Sequence, residues 1–201
     1  MTALRVVYED RWLLVVDKPS GLPTQQAAGG GDHLLRRLAE RPYVGLHHRL
    51  DAPVSGLVLL TVHRDANAAI SRAFQGHEIR RTYVAVASGA VRDTRWDRPV
   101  DGKPALTDVE VRGVARGTSS LILRPHTGRK HQLRVHAALA GHALLGDRQY
   151  GEALGRAWPR IALHAAELSL THPMTGEPLT LSSPLPPDLE PLWARFVEDE
   201  G

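Results

Sequence analysis

Residues 45–60, GLHHRLDAPVSGLVLL, place two histidines, an arginine and an aspartate just ahead of a run suited to burial. Asp51 sits at the seam, with Arg49 before it and the apolar residues 56–60 after it. A carboxylate in that position is either a turn residue or an acid, base or nucleophile displayed beside a pocket. Two other stretches hold groups able to do chemistry. Residues 81–85, RTYVA, set the polar-tipped ring of Tyr83 in an otherwise strand-like run. Residues 126–151, HTGRKHQLRVHAALAGHALLGDRQYG, gather Arg129, Lys130 and Arg134 beside His131 and His136, ahead of Gly146-Asp147.

With 11 histidines, a metal centre has to be weighed. His131 and His136 are five positions apart, whereas one helix face brings together residues three or four apart. The arginines around them repel cations, and no HExxH pattern is present. We expect no metal site. A hydrolase built from Ser55, His48 and Asp51 is the next possibility, but closeness in sequence is not triad geometry and there is no G-x-S-x-G elbow. Taken singly, Asp51 reads as a turn or cap residue, Tyr83 as a half-buried strand tyrosine and Arg129 as a surface charge. Their joint pattern carries more weight than any of them alone.

Composition narrows the setting. The 201 residues are 42% hydrophobic and 23% charged, enough apolar matter for one large domain or two closely joined halves. Zero cysteines remove disulfides, thiol nucleophiles and thiolate ligands, and make a reducing, cytoplasmic setting the expectation. The apolar runs are only a few residues long, so no membrane span is expected, and the N-terminal residues lack a secretion-signal pattern. Net charge is only +3, but basic residues cluster at Arg36-Arg37, at Arg80-Arg81 and from Arg124 through Arg134. Such clusters suit a phosphate backbone, or else form a solvated face balanced by the acidic C-terminal end VEDEG.

Periodicity supplies the elements that must position these groups. Residues 5–8 and 12–16 read as a hairpin around Glu9-Asp10-Arg11. Asp32 is placed to cap a short helix through Leu34, Leu35 and Leu38. Strands are expected at 56–62, 82–87, 109–114, 120–123, 161–163 and 168–171, and helices at 65–74 and 130–140, the second ended by Gly141. A Pro-rich passage at 182–192 leads into a short terminal helix. No repeat or long linker is visible. The reading is mixed α+β, with many hairpin-joined strands.

In this order and spacing, the motifs resemble those of the RluA-type pseudouridine synthases along nearly the whole chain. VVDKPSGL at 15–22 is similar to the family's opening segment, and HRLDAPVSGLVLL at 48–60 to its catalytic motif. RRTYVAVASG at 80–89 resembles its tyrosine motif, GKPALT at 102–107 a later strand signature, and residues 126–151 and 161–173 its third motif and the strands after it. The resemblance implies a single catalytic domain, 1–201, with a mixed, mainly antiparallel sheet, flanking helices and two pseudo-related halves around an active-site cleft. It implies an isomerase that uses Asp51 as nucleophile or base at the sugar, Tyr83 to stack on the uracil and Arg129 to pair with the carboxylate. Arg49 would fill the space of a flipped base, His48, Lys130 and Arg134 would contact RNA, and Leu163 or Ile161 would floor the pocket. The reaction implied needs no cofactor and no metal. The partner implied is ribosomal or transfer RNA, and a monomer is the default expectation for a compact RNA-modifying domain. No separate RNA-binding domain precedes the motifs, so the catalytic domain is expected to recognise its own RNA. A non-catalytic RNA-binding or chaperone module on the same fold is the competing reading, and an altered aspartate would have favoured it. Two departures stand out. Val54 occupies a position where the family usually has threonine, and the stretch 91–102 is short where many members carry a longer basic loop.

Overall fold

The computed structural model describes residues 4–151, 158–194 and 196, so the acidic C-terminal end lies outside the described residues. The chain divides into two compact units, residues 1–80 with 165–183, and residues 81–164 with 184–201.

The first unit begins with the expected hairpin. β1 (Arg5–Glu9) pairs antiparallel with β2 (Leu13–Lys18), and the Asp10 carboxylate accepts the N–H groups of Trp12 and Leu13 at 2.7 Å to close the turn. β2 then pairs antiparallel with β4 (Ser55–Thr61), matching Val16 with Val58 and Lys18 with Gly56. Every residue of β4 is buried, which explains its continuous apolar run where a half-exposed strand would alternate. The short β3 (Gly45–Leu46) also lies on β4. β9 (Leu163–Thr171), most of which belongs to this unit, neighbours β4 and carries β10 (Pro178–Ser182) antiparallel on its other side. Gly56 has a φ of 115°, and a Cβ there would lie 2.3 Å from the carbonyl oxygen of Ala165. Only glycine permits this close passage of the β9 backbone. Helix α2 (Ala66–Gln75) buries Ala66 and Ile70 in a core with Leu13, Val15, Leu57, Leu59 and Leu168.

The second unit is a meander-like sheet in the order β5 (Arg80–Ser88), β8 (Thr118–Pro125), β7 (Thr107–Ala115) and β6 (Arg95–Trp96). These pairs are antiparallel. Helix α3 (Gln132–Leu139) follows β8, and α4 (Glu190–Ala194) buries Leu192 beside Val86, Leu145 and Ala162. The architecture is α+β, mostly antiparallel strands with few helices, as the patterning implies.

Several local expectations are corrected. The two strands read at 161–163 and 168–171 are one strand, β9, continuous through His164, Ala165 and Ala166. Helix α1 (Leu34–Arg37) is not capped by Asp32, whose carboxylate pairs instead with the Arg37 guanidinium at 2.6 Å. Helix α3 starts at Gln132, because His131 adopts a left-handed φ of 55° and the turn before it uses Arg129 and Lys130.

Candidate active site

Asp51 opens a four-residue turn in which its carbonyl accepts the Val54 N–H at 3.0 Å. Val54 is buried, so the valine at this position serves packing. The chain on either side of Asp51 is tied to residues 18–24. The Thr24 hydroxyl donates to the Leu50 carbonyl at 2.7 Å and accepts the Leu50 N–H at 3.2 Å, as a neighbouring backbone would. After Asp51, the Ala52 carbonyl accepts the Gly21 N–H at 2.8 Å and the Lys18 ammonium at 3.2 Å, and the Ser20 hydroxyl donates to the Pro53 carbonyl at 2.8 Å. Lys18 is fully buried and also donates to the carbonyls of Pro19 and Leu22. A buried ammonium is costly unless its protons are used, and here three carbonyl oxygens receive them. The register that sets Lys18 across from Gly56 brings the end of β2 to this turn. Asp51 itself is half-buried and Arg49 is exposed.

His48, expected as an RNA contact, is engaged with the strand and helix behind it. Its Nε2 accepts the Leu59 N–H at 2.8 Å, and its ring lies 5.0 Å from that of Phe74. It serves to bind the segment before Asp51 onto β4.

In the second unit, β5 carries Tyr83, buried and opposite Leu123 of β8. Leu163, at the start of β9, is buried as well, as is Ile161. Two residues before Tyr83, the Arg81 guanidinium donates to the Thr127 carbonyl at 3.2 Å and so holds the β8–α3 loop that bears Arg129. Arg129 donates from Nε to the Pro104 carbonyl at 2.9 Å, so an anion meets this residue through its terminal nitrogens. Lys130 is exposed.

Arg134, also expected as an RNA contact, is engaged within the protein. It is only 6% exposed and forms a two-pronged pair with Asp147, Nε to one carboxylate oxygen at 2.8 Å and Nη2 to the other at 2.9 Å. Burial works to raise the Asp147 pKa, but the Arg134 bonds and the N–H groups of Tyr150 and Gln149 outweigh it and hold the carboxyl below the usual range. A guanidinium committed in this way braces α3 against the 146–150 loop. Its acidic partner, 13 residues on, was present in the same motif, but the fold alone reveals the pairing.

Sequence reasoning did not single out Lys18, Thr24, Arg81 or Gln132 as supports of the site residues. A lysine ending an apolar strand just before Pro-Ser-Gly was the available signal for the first. Among the described residues, no group of three or more His, Asp or Glu is placed to hold a metal ion. No described helix is long and apolar enough to cross a membrane.

The first unit carries a half-buried carboxylate, Asp51, on a braced turn, and the second a buried strand tyrosine, Tyr83, and an arginine, Arg129, on a clamped loop, within an α+β fold. Comparison with known proteins gives the particular family. The family model described as RNA pseudouridylate synthase matches residues 12–139. The chain is 34% identical to ribosomal large subunit pseudouridine synthase D of Xanthomonas campestris pv. campestris, covering 98% of this chain and 71% of that protein. It is 36% identical to the dual-specificity RNA pseudouridine synthase RluA of Escherichia coli, covering 90% of this chain and 93% of the other. Among solved structures, human RNA Pseudouridylate Synthase Domain Containing 1 superposes with a TM-score of 0.76 at 28% identity, over 92% of this chain and 84% of that one. The chain belongs to the RNA pseudouridylate synthase family, and it is an isomerase acting on RNA.

Proposed function

We propose that this protein converts specific uridines in structured ribosomal or transfer RNA to pseudouridine, with residues 1–201 forming one catalytic domain. The reaction breaks the nitrogen–carbon glycosidic bond, turns the uracil and joins it to the sugar through carbon. That carbon loses a proton and the freed nitrogen, which carried none while bonded to the sugar, gains one, so nothing is oxidised and no group enters from outside. Neither a metal nor an organic cofactor has a step to perform. Asp51 acts at the sugar as nucleophile or base, Tyr83 gives the uracil a flat face and a hydroxyl for proton transfer, and Arg129 supplies the positive charge that an ionised carboxylate needs away from water. Arg49 takes the place of the flipped base and Lys130 meets phosphate. We assign the protein to the cytoplasm as a monomer, in keeping with its RNA substrate and cysteine-free sequence.

The observation that carries this reading is the bracing of Asp51. Its turn is fixed at Leu50, Ala52 and Pro53 by side chains of residues 18–24, the support that a carboxylate in catalytic use requires. The test is Asp51→Asn, assayed on transcripts of large-subunit ribosomal RNA and on a pool of transfer-RNA transcripts. Pseudouridine formation falls to background, while RNA affinity and the melting curve stay those of the parent. Turnover above background in this variant overturns the assignment of Asp51.

A further inference from the structure

We infer that Gln132 is the positioning residue for Arg129, an inference that rests on the catalytic role proposed for that arginine. Gln132 is 5% exposed, and its amide is fully used. Oε1 accepts the Thr127 hydroxyl at 2.6 Å and the Arg129 N–H at 3.0 Å. Nε2 donates to the Leu106 carbonyl at 3.0 Å and to the Thr107 hydroxyl at 3.1 Å. The Gln132 N–H in turn donates to the Arg129 carbonyl at 3.2 Å, so the two residues are bonded in both directions.

Surrounding groups fix which way the amide faces. His136 meets the Arg98 carbonyl through Nε2 at 2.8 Å, and a carbonyl only accepts, so Nε2 carries the proton. In the neutral ring Nδ1 is then an acceptor, and it takes the Thr107 hydroxyl proton at 3.0 Å. The Thr107 oxygen is left to accept, which requires the NH2 of Gln132 on that side and its carbonyl toward Arg129. Burial lowers the His136 pKa, which favours this neutral ring.

The consequence reaches the Arg129 side chain as well as its backbone. Gln132 joins the segment that bears Arg129 to residues 104–107, and it is Pro104 in that second segment that receives the Arg129 Nε. The Leu106 N–H donates to the Thr127 hydroxyl at 3.1 Å, closing the same small ring of bonds. Removing the amide therefore loosens both anchors of one guanidinium. An error of an ångström in such a group costs on the order of a hundredfold in rate, with little effect on binding.

The experiment measures single-turnover rates at saturating RNA, using transcripts of large-subunit ribosomal RNA and of transfer RNA, for Gln132→Met, Arg129→Ala and the double variant. Gln132→Met slows the chemical step at least about tenfold, keeps the RNA dissociation constant within about twofold, and in the Arg129→Ala background slows it less than about twofold. An equal loss in both backgrounds, or no loss in the parent, overturns the inference while leaving the functional reading in place. An unchanged rate in Arg129→Ala overturns the role of the arginine itself, and the inference with it, whatever Gln132→Met does. If Gln132→Met does not fold, Thr127→Val removes two bonds from the ring at constant shape, the one to Gln132 and the one from the Leu106 N–H. Its loss of rate must again vanish when Arg129 is absent, and an equal or missing loss overturns the inference.

Discussion

The ammonium of Lys18 donates to the carbonyl of Ala52, 3.2 Å away, and so holds the residue that follows Asp51. The same group satisfies the Leu22 carbonyl at 2.7 Å, which joins the end of β2, the loop after it and the Asp51 turn at one point. A lysine with no exposed surface has no electrostatic use in solvent. Its length and three protons suit it to tie these carbonyls together.

Lys18→Met tests that relationship. Methionine fills much of the space but takes the ammonium donor from the buried Leu22 carbonyl, at about 1–3 kcal/mol for an unsatisfied group. We expect a clear drop in stability by urea denaturation and, below the transition, a slower single-turnover rate at saturating RNA. A variant as stable and as fast as the parent would remove Lys18 from the support of Asp51.

Arg134 and Lys130 were expected to behave alike, and the structure separates them. Arg134→Met leaves Asp147 charged and buried, and breaking such a pair costs about 3–5 kcal/mol. Lys130→Ala costs little stability but weakens RNA binding generally and reduces the steepness of its salt dependence by about one phosphate contact. Denaturant melts and affinities over a salt series distinguish the two. If Arg134→Met keeps parental stability and instead flattens the salt dependence, the buried pair has been misread.

Much of the frame was legible because burial leaves a period. The hairpin of β1 and β2, the all-apolar β4 and the one-sided α2 each declare themselves by apolar spacing. β9 was divided because His164, Ala165, Ala166 and Glu167 neither alternate nor favour strands, and burial between neighbours overrides that weak preference. β10 was hidden by its proline, which is tolerated because Pro178 is the first residue of the strand, while Leu179 and Leu181 pack on the first unit's core. In the site, Asp51, Tyr83 and Arg129 were marked by motif. The internal bonds of Arg134 and His48 were not legible because their partners, Asp147 and the backbone of Leu59, are remote in sequence or carry no side-chain signal.

His136, buried, and His47, half-buried, give the protein a pH dependence of definite sign. Burial depresses the pKa of both His47 and His136 below the ordinary 6.5, with hydrogen bonds to Asn67 and Arg98 respectively offsetting only part of it. Below pH 6.5 the unfolded chain takes up protons that the folded chain resists. Their contribution to stability is therefore complete above that pH and declines as pH falls. Asp147 and Asp10, whose pKa values are also lowered, add a second decline in the acidic carboxylate range. Thermal melts from pH 8 to 5.5 should show the first decline, and His136→Gln should make it shallower. A melting temperature that is flat or rising toward pH 5.5 would count against neutral histidines at these two positions.

Arg49 offers the test most specific to base flipping. It is exposed immediately before Leu50, whose backbone is clasped by Thr24, so a long cation is presented from a fixed base. A planar guanidinium can stack where a uridine has left, and extracting that uridine from a helix costs a few kcal/mol. The help matters only when the base begins stacked. Arg49→Ala should therefore slow a structured RNA by about tenfold or more, yet slow a short single-stranded RNA with the same uridine already unstacked by only about twofold. The comparison uses single-turnover rates at saturating RNA, so that loss of a phosphate contact does not imitate the effect. Equal losses on the two substrates would reduce Arg49 to a general RNA-binding cation and leave flipping to other residues.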